Sequence, residues 1–242
     1  MSAGGVTLDA LPGFRRRFRI TPAVHRVCCE VEDDFHCMEV TLHHAGGVAT
    51  RVEALMHRAP WTTCPGAQQK VQETFTGVRL DEFVRRGEKK ENCTHLYDLA
   101  LLAAGHAQEE RVQQYDILVS DPDESGVSQA ALRLNDVTLL HWIVQGFVMV
   151  EPSEAAGIRL DRLNDWIAGL DAPLQEPARL LRWAIMIAHG RSIPMEEQSD
   201  ATRMPPNCYT FQPHRAVNAL RVGLIRDFSN DESQPLDNNN YH

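Results

Sequence analysis

Pro60 divides two textures that no single kind of secondary structure spans. Before it, from Phe14, the chain has period-two character: Phe14, Phe18 and Ile20 share one parity in "FRRRFRI", opposed by arginines. "VHRVCCEVE" and "HCMEVTLHH" are rich in β-formers, "AGG" at 45–47 signals a hairpin, and "VATRVEALM" supplies the returning strand. After Pro60, Ala67, Val71, Thr74 and Phe75 follow Cys64 at helical spacing, and Gly77 is the stop. "RLDEFVRRG" predicts a short second helix. Leu96, Leu99, Ala100 and Ala103 predict a third, ending near Gly105. A strand meander followed by helices makes the first half α+β.

The second half repeats that order of elements without a repeat at the level of residues. "RVQQYDILVSD" reads as a strand, "DPDESG" as a turn, and "AALRL" and "LLHWIVQGFVMV" as a pair of strands. "LDRLNDWIAGL" and "PARLLRWAIMIAHG" are amphipathic helices, with Pro173 and Pro177 punctuating the space between them. "HRAVNALRVGLI" is a last helix. The expected division is a metal-binding region over 14–122, a strand-plus-helix cover over 123–228, and flexible tails at 1–13 and 229–242.

A formal net charge of −9 argues against nucleic acid or an anionic membrane as partner. The short basic run Arg15-Arg16-Arg17, with Arg19, reads as a solvated strand face, with an anion-binding patch as the alternative. No signal peptide and no apolar run near ~20 residues is visible. The expected location is therefore cytoplasmic, and the six cysteines are expected as reduced thiols. A small-molecule substrate is the expected partner, and a homo-oligomer is compatible with the composition.

Cysteines stand at two helix mouths. Pro65 suits a first helical position, which puts Cys64 at or near the N-cap, and Asn92 or Cys93 holds the same place in the third helix. A helix N-terminus favours an anion, so each thiol is expected to have a lowered pKa and more thiolate. His95 adds an imidazole in the same first turn. On a strand, Asp34 and His36 would share a face while Cys37 points away. The set His36, Cys64 and Cys93, with His95 or water in fourth place, suits zinc or iron. Isolated structural cysteines and a nucleophilic cysteine remain the competing explanations of the same spacing.

Elsewhere the residues announce less chemistry. His43-His44 reads as a surface pair near a turn, and His25 as a histidine that could face inward. His141 in "LLHWIVQGF" is a wall or substrate-contact candidate. Cys208, Tyr209 and His214 follow Pro205-Pro206 and are placed to cap a metal pocket from outside. Together with Asp34 they are candidates for contacts to the ligands or substrate. There is no Gly-rich phosphate loop, GxSxG elbow or HExxH helix.

The segments "FHCMEVTLHHAGGVATRVEAL", "CPGAQQKVQETFTGVRLDEF" and "CTHLYDLALLA" resemble an uncharacterised bacterial family, domain of unknown function 2889. Its His-x-Met strand falls on His36 and Met38. Its two helix starts fall on Cys64-Pro65 and on Cys93-Thr94-His95-Leu96, with Asn92 in place of a glycine. The element order is also similar to iron–sulfur scaffold proteins of the IscU/NifU type, in which three cysteines and an aspartate converge on zinc or a cluster. Cys64 and Cys93 match the second and third of those cysteines. The first is missing, with Asp34 or His36 in its region, and the chaperone-binding Leu-Pro-Pro-Val-Lys motif is absent. The resemblances imply a metal pocket.

Two functions compete. In an enzyme, the ion would polarise a carbonyl or activate water on a small aromatic or carbonyl-bearing substrate, with His95 as ligand or as catalytic base. In a scaffold or carrier, the site would hold metal or a cluster and hand it on. A closed structural zinc is the third alternative.

Overall fold

In a computed structural model of the chain, residues 7–193, 199–222, 226–231 and 233–237 are described. They form an α+β fold of antiparallel strands and a few helices. The described residues divide into two compact units that interleave along the chain. One takes 18–113, 199–222 and 226; the other takes 7–17, 114–193, 227–231 and 233–237. This differs from the expected boundary near residue 122, because strand β1 (Gly13–Ala23) gives its first residues to one unit and its last to the other. All six cysteines fall in the first of these, which we call the cysteine unit.

In the cysteine unit the end of β1 is followed by β2 (Arg26–Asp33), β3 (Cys37–Ala45) and β4 (Val48–Arg58). Strands β2 to β4 pair antiparallel, with Val31 opposite Met38 and Val40 opposite Ala54. Gly46 and Gly47 turn the β3–β4 hairpin with φ of 57° and 77°, which fits the two left-handed positions of a type I′ turn. A 3₁₀ turn, Cys64–Gly66, leads into α1 (Ala67–Phe75), which packs on β4. Its buried Ala67, Val71, Thr74 and Phe75 form the expected helical stripe. Helix α2 (Thr94–Gly105) packs on β2 and β3 and is buried along nearly its whole length. "RLDEFVRRG" forms a 3₁₀ turn, Leu80–Arg85, rather than a helix, with Phe83 stacked on Phe75 at 4.4 Å.

The cysteine-free unit runs β5 (Gln113–Ser120), β6 (Val127–Leu134), β7 (Val137–Gln145), β8 (Val148–Glu151), α3 (Asn164–Ala168) and α4 (Ala172–Ala188). The run "LLHWIVQGFVMV", expected as one strand, is split by a turn at Gly146, whose φ is 55°. Asn135 and Asp136, at φ 46° and 67°, make the preceding hairpin. Pro173 and Pro177 lie inside α4 rather than before it. Pro173 falls in the first turn, where a missing N–H costs nothing, whereas Pro177 removes one helical donor. The expected final helix shrinks to α5 (Pro213–Ala216); residues 223–225 of that stretch lie outside the described residues.

Three further expectations change. Arg15 and Arg16 are buried rather than solvated, and Arg17 pairs with Asp116 and Asp237. The parts of the two tails that are described are built into the cysteine-free unit: Arg133 binds Asp9, the Gly13 amide donates to Ser229 Oγ at 3.1 Å, and Leu236 is buried. Finally, the chain does contain a residue-level repeat. Gly77-Val78-Arg79-Leu80-Asp81 recurs as Gly157-Ile158-Arg159-Leu160-Asp161. Both glycines have φ 82°, and both arginines hydrogen-bond the aspartate two residues on. The backbone bonds recur too. Gly77 donates to Ala49 O and Leu80 to Gly47 O, as Gly157 does to Met149 O and Leu160 to Phe147 O.

Candidate metal centre

Residues 34–36 turn the chain between β2 and β3. The Asp33 carboxylate accepts the amide N–H groups of Phe35 and His36, each at 2.8 Å, which is the Asx turn that aspartate favours. The same oxygen lies 3.0 Å from His36 Nδ1. An ionised Asp33 carboxylate can only accept, so Nδ1 donates to it, and a neutral His36 ring would then present its Nε2 lone pair. The strand parity expected to align Asp34 with His36 does not apply, since both sit in the turn. Asp34 is buried, and its carbonyl accepts from Arg58 at 2.7 Å and from the Arg226 amide at 2.9 Å.

The mouth of α2 faces this turn. Cys93 is the N-cap, with an extended backbone and no capping bond from its side chain. Its sulfur lies 4.0 Å from His95 Nδ1. The His95 ring stands 3.9 Å from the His36 ring, tilted by 31°. One ligand atom from each of Asp33, His36 and His95 falls within 4.8 Å of the others, and all three residues are buried. At a tetrahedral zinc, bonds of ~2.3 Å to sulfur and ~2.0 Å to nitrogen would set an S···N separation of roughly 3.5 Å. The Cys93–His95 spacing is close to that. The two imidazoles lie partly face to face, tilted by 31°, and a shared ion would ask one ring to reorient.

Cys64 begins the 3₁₀ turn before α1, with its Sγ 3.2 Å from Thr210 Oγ1. It does not reach the N-cap of α1. The expected lowering of the helix-mouth thiol pKa values is reversed. Burial pushes the Cys64 thiol up, outweighing the Thr210 hydrogen bond and the Arg221 charge. Burial likewise raises Cys93 strongly. The charges of Cys64 and Cys208 add to the rise, and the amides of Leu96 and His95 offset part of it. Desolvation in a closed helix mouth is the larger effect here.

The expected ligands His36 and His95 are thus brought together with Asp33, Cys93 lies at their edge, and Cys64, held against Thr210, is not part of that group. Asp33 and Thr210 were missed. The Asp-x-x-His spacing was the available signal for Asp33, whereas Thr210 arrives from 146 residues away and leaves no local trace. Tyr209 packs against Gly66, and its amide donates to Asn92 O at 2.9 Å. His214 is exposed on α5. His141 is exposed on β7 in the cysteine-free unit and lines no buried wall. His44, expected at the surface, is buried, while His25, expected to face inward, is exposed. No family model, curated protein or solved structure matches this chain.

Proposed function

We propose that this chain is a metal-dependent enzyme acting on a small organic molecule with a carbonyl or aromatic group. The ion, zinc or iron, is held by His36, Cys64 and Cys93, with His95 beside it. One observation carries this reading: a buried carboxylate–imidazole–imidazole cluster with a thiol sulfur at its edge. Asp33 fixes the His36 tautomer, as carboxylates do for metal-binding histidines. Cys64 is partly exposed, which supports a solvent-facing side where substrate could enter. When bound, the ion would supply a Lewis acid for a carbonyl or for water. His36 is anchored by Asp33, and His95 would serve either as the fourth ligand or as a base beside the ion. The meander followed by α1 and α2, with Cys64 in the turn before the first helix and Cys93 as the N-cap of the second, supports an IscU/NifU-like arrangement for the cysteine unit.

Elemental analysis and absorption spectroscopy of the full chain, purified without chelator, test the reading. We expect about one zinc or iron per chain, an exchangeable water ligand, and loss of the metal in both Cys64→Ser and Cys93→Ser with circular dichroism unchanged. Stoichiometric metal retained in both variants would refute the site. A sulfide-containing chromophore would replace the enzyme by a scaffold, and a colourless closed site by a structural zinc.

A further inference from the structure

The stretch after α5 runs back along the approach to the Cys64 turn. The Thr62 amide donates to Leu220 O and the Leu220 amide to Thr62 Oγ1, each at 3.0 Å. The Val222 amide donates to Pro60 O, also at 3.0 Å. These bonds set Arg221 opposite Trp61 in an antiparallel bridge, and its guanidinium lies over the indole, 5.4 Å from the ring centre. Trp61 is buried with Ala201, Ala216 and Ala219, and Phe211 meets it edge-on at 5.7 Å, so the cation rests on a fixed apolar floor. Cys64 packs against the same group, and its amide donates to Trp61 O at 3.1 Å.

This guanidinium has no counter-charge. Its Nε is buried and donates to nothing, and among the described residues no carboxylate pairs with its Nη groups. Arg58, in the same unit and also partly buried, instead has Glu32 at 3.0 Å and the carbonyls of Asp33 and Asp34 at 2.7 Å. A partly buried cation left unpaired costs free energy that a bound anion would recover. We propose that Arg221, seated on Trp61 beside Cys64, binds the carboxylate of the small organic substrate, which makes the substrate an organic acid. The inference rests on the enzyme reading above for the word substrate, while the anion site itself follows from the Arg221 geometry. A single planar guanidinium matches the one charge and two oxygens of a carboxylate through parallel N–H···O bonds. A doubly charged phosphate is better met by a glycine-rich run of amides, and the sequence has no such loop.

Calorimetric titration of the full chain, with and without zinc, tests this with benzoate as probe and benzamide as its neutral counterpart. Benzoate should bind in both forms, about tenfold tighter than benzamide. Arg221→Gln should weaken benzoate about 10–100-fold, and Arg221→Lys should restore part of the loss, with metal content and circular dichroism unchanged. In the unmodified chain the Arg221 Nε–H resonance should move with benzoate and stay in place with benzamide. Equal affinity for the two probes would overturn the proposal, as would undiminished benzoate binding in Arg221→Gln. Should Arg221→Gln not fold, an unmoved Arg221 resonance in the unmodified chain overturns it instead. Inorganic phosphate binding more tightly than benzoate would overturn the assignment to a carboxylate. If those negatives occur while the chain binds stoichiometric metal, the metal reading survives and this inference alone falls. If the chain binds no metal and benzoate still requires Arg221, the carboxylate site stands and the metal reading falls.

Discussion

The thiols around the candidate centre are held protonated by burial, and that sets how the site responds to pH. Cys64 and Cys93 both have raised pKa values, so at neutral pH an ion must displace their protons to bind. Each proton displaced makes the apparent affinity rise about tenfold per pH unit, so two thiols give roughly a hundredfold between pH 6.5 and 7.5. Competition titration with a chromophoric chelator at several pH values checks this; a slope near zero would count against thiolate ligation. The same shifts act on the metal-free fold. A thiol with a raised folded pKa contributes stability that is present below its ordinary value of 9.0 and lost as pH rises through the folded value. Cys28 is pushed up to about 12 mainly by burial, and burial raises Cys93 further still. Chemical denaturation of the metal-free chain should therefore show falling stability from pH 9 upward. Asp33 makes a different contribution, through orientation. Asp33→Asn should weaken metal binding about 10–100-fold, measured by the same titration, because the neutral amide no longer fixes the His36 ring as strongly. The two cysteines were legible from their place before helical stripes. Their protonation was not, because spacing reports the helix dipole but not the desolvation that the rest of the fold imposes.

The repeated turn ties two elements to one local code. Gly77 and Gly157 each take φ 82° and each closes the same pair of backbone bonds onto the returning strand. Gly77→Ala and Gly157→Ala should each cost about 1–2 kcal/mol, the penalty of placing a Cβ in the left-handed region, and by similar amounts. Denaturation midpoints of the two variants measure this, and a large inequality would mean that the turns bear unequal loads. Gly66→Ala acts instead through contact. Its Cβ would force Tyr209 aside, and the expected readout is weakened docking of residues 208–212, seen as faster amide exchange at Tyr209. Among the elements, β1 to β4, α1 and α2 were legible because alternation, the Ala45-Gly46-Gly47 hairpin and the Ala67–Phe75 stripe agree with one another. The sequence pattern starts α4 at Pro177, whereas the helix begins at Ala172, because Pro173 in the first turn sacrifices no bond and Pro177 lies within the helix. The repeat passed unnoticed since only five residues carry it. The Cys64 turn and α1 precede its first copy, whereas the second copy follows just a 3₁₀ turn, Ser153–Ala155.

At the scale of the whole chain, all candidate ligands lie in one unit and none in the other. Metal should therefore stabilise the two unequally. At a free-ion concentration 100 times the dissociation constant, the gain is about 2.7 kcal/mol. Hydrogen exchange with and without chelator should localise the change to β2, β3, α1, α2 and residues 208–212, with β6 to β8 unaffected. Uniform loss of protection would contradict a centre confined to the cysteine unit. The interleaved division was not legible in the sequence, because contacts between residues more than a hundred positions apart leave no periodicity to read. It also has a bearing on how the molecule is made. On a ribosome adding ~5–20 residues per second, Cys93 emerges on the order of ten seconds before Cys208. During that interval Cys64 Sγ would lack its Thr210 partner, so the arrival of residues 208–212 decides when the surroundings of the two helix mouths are complete.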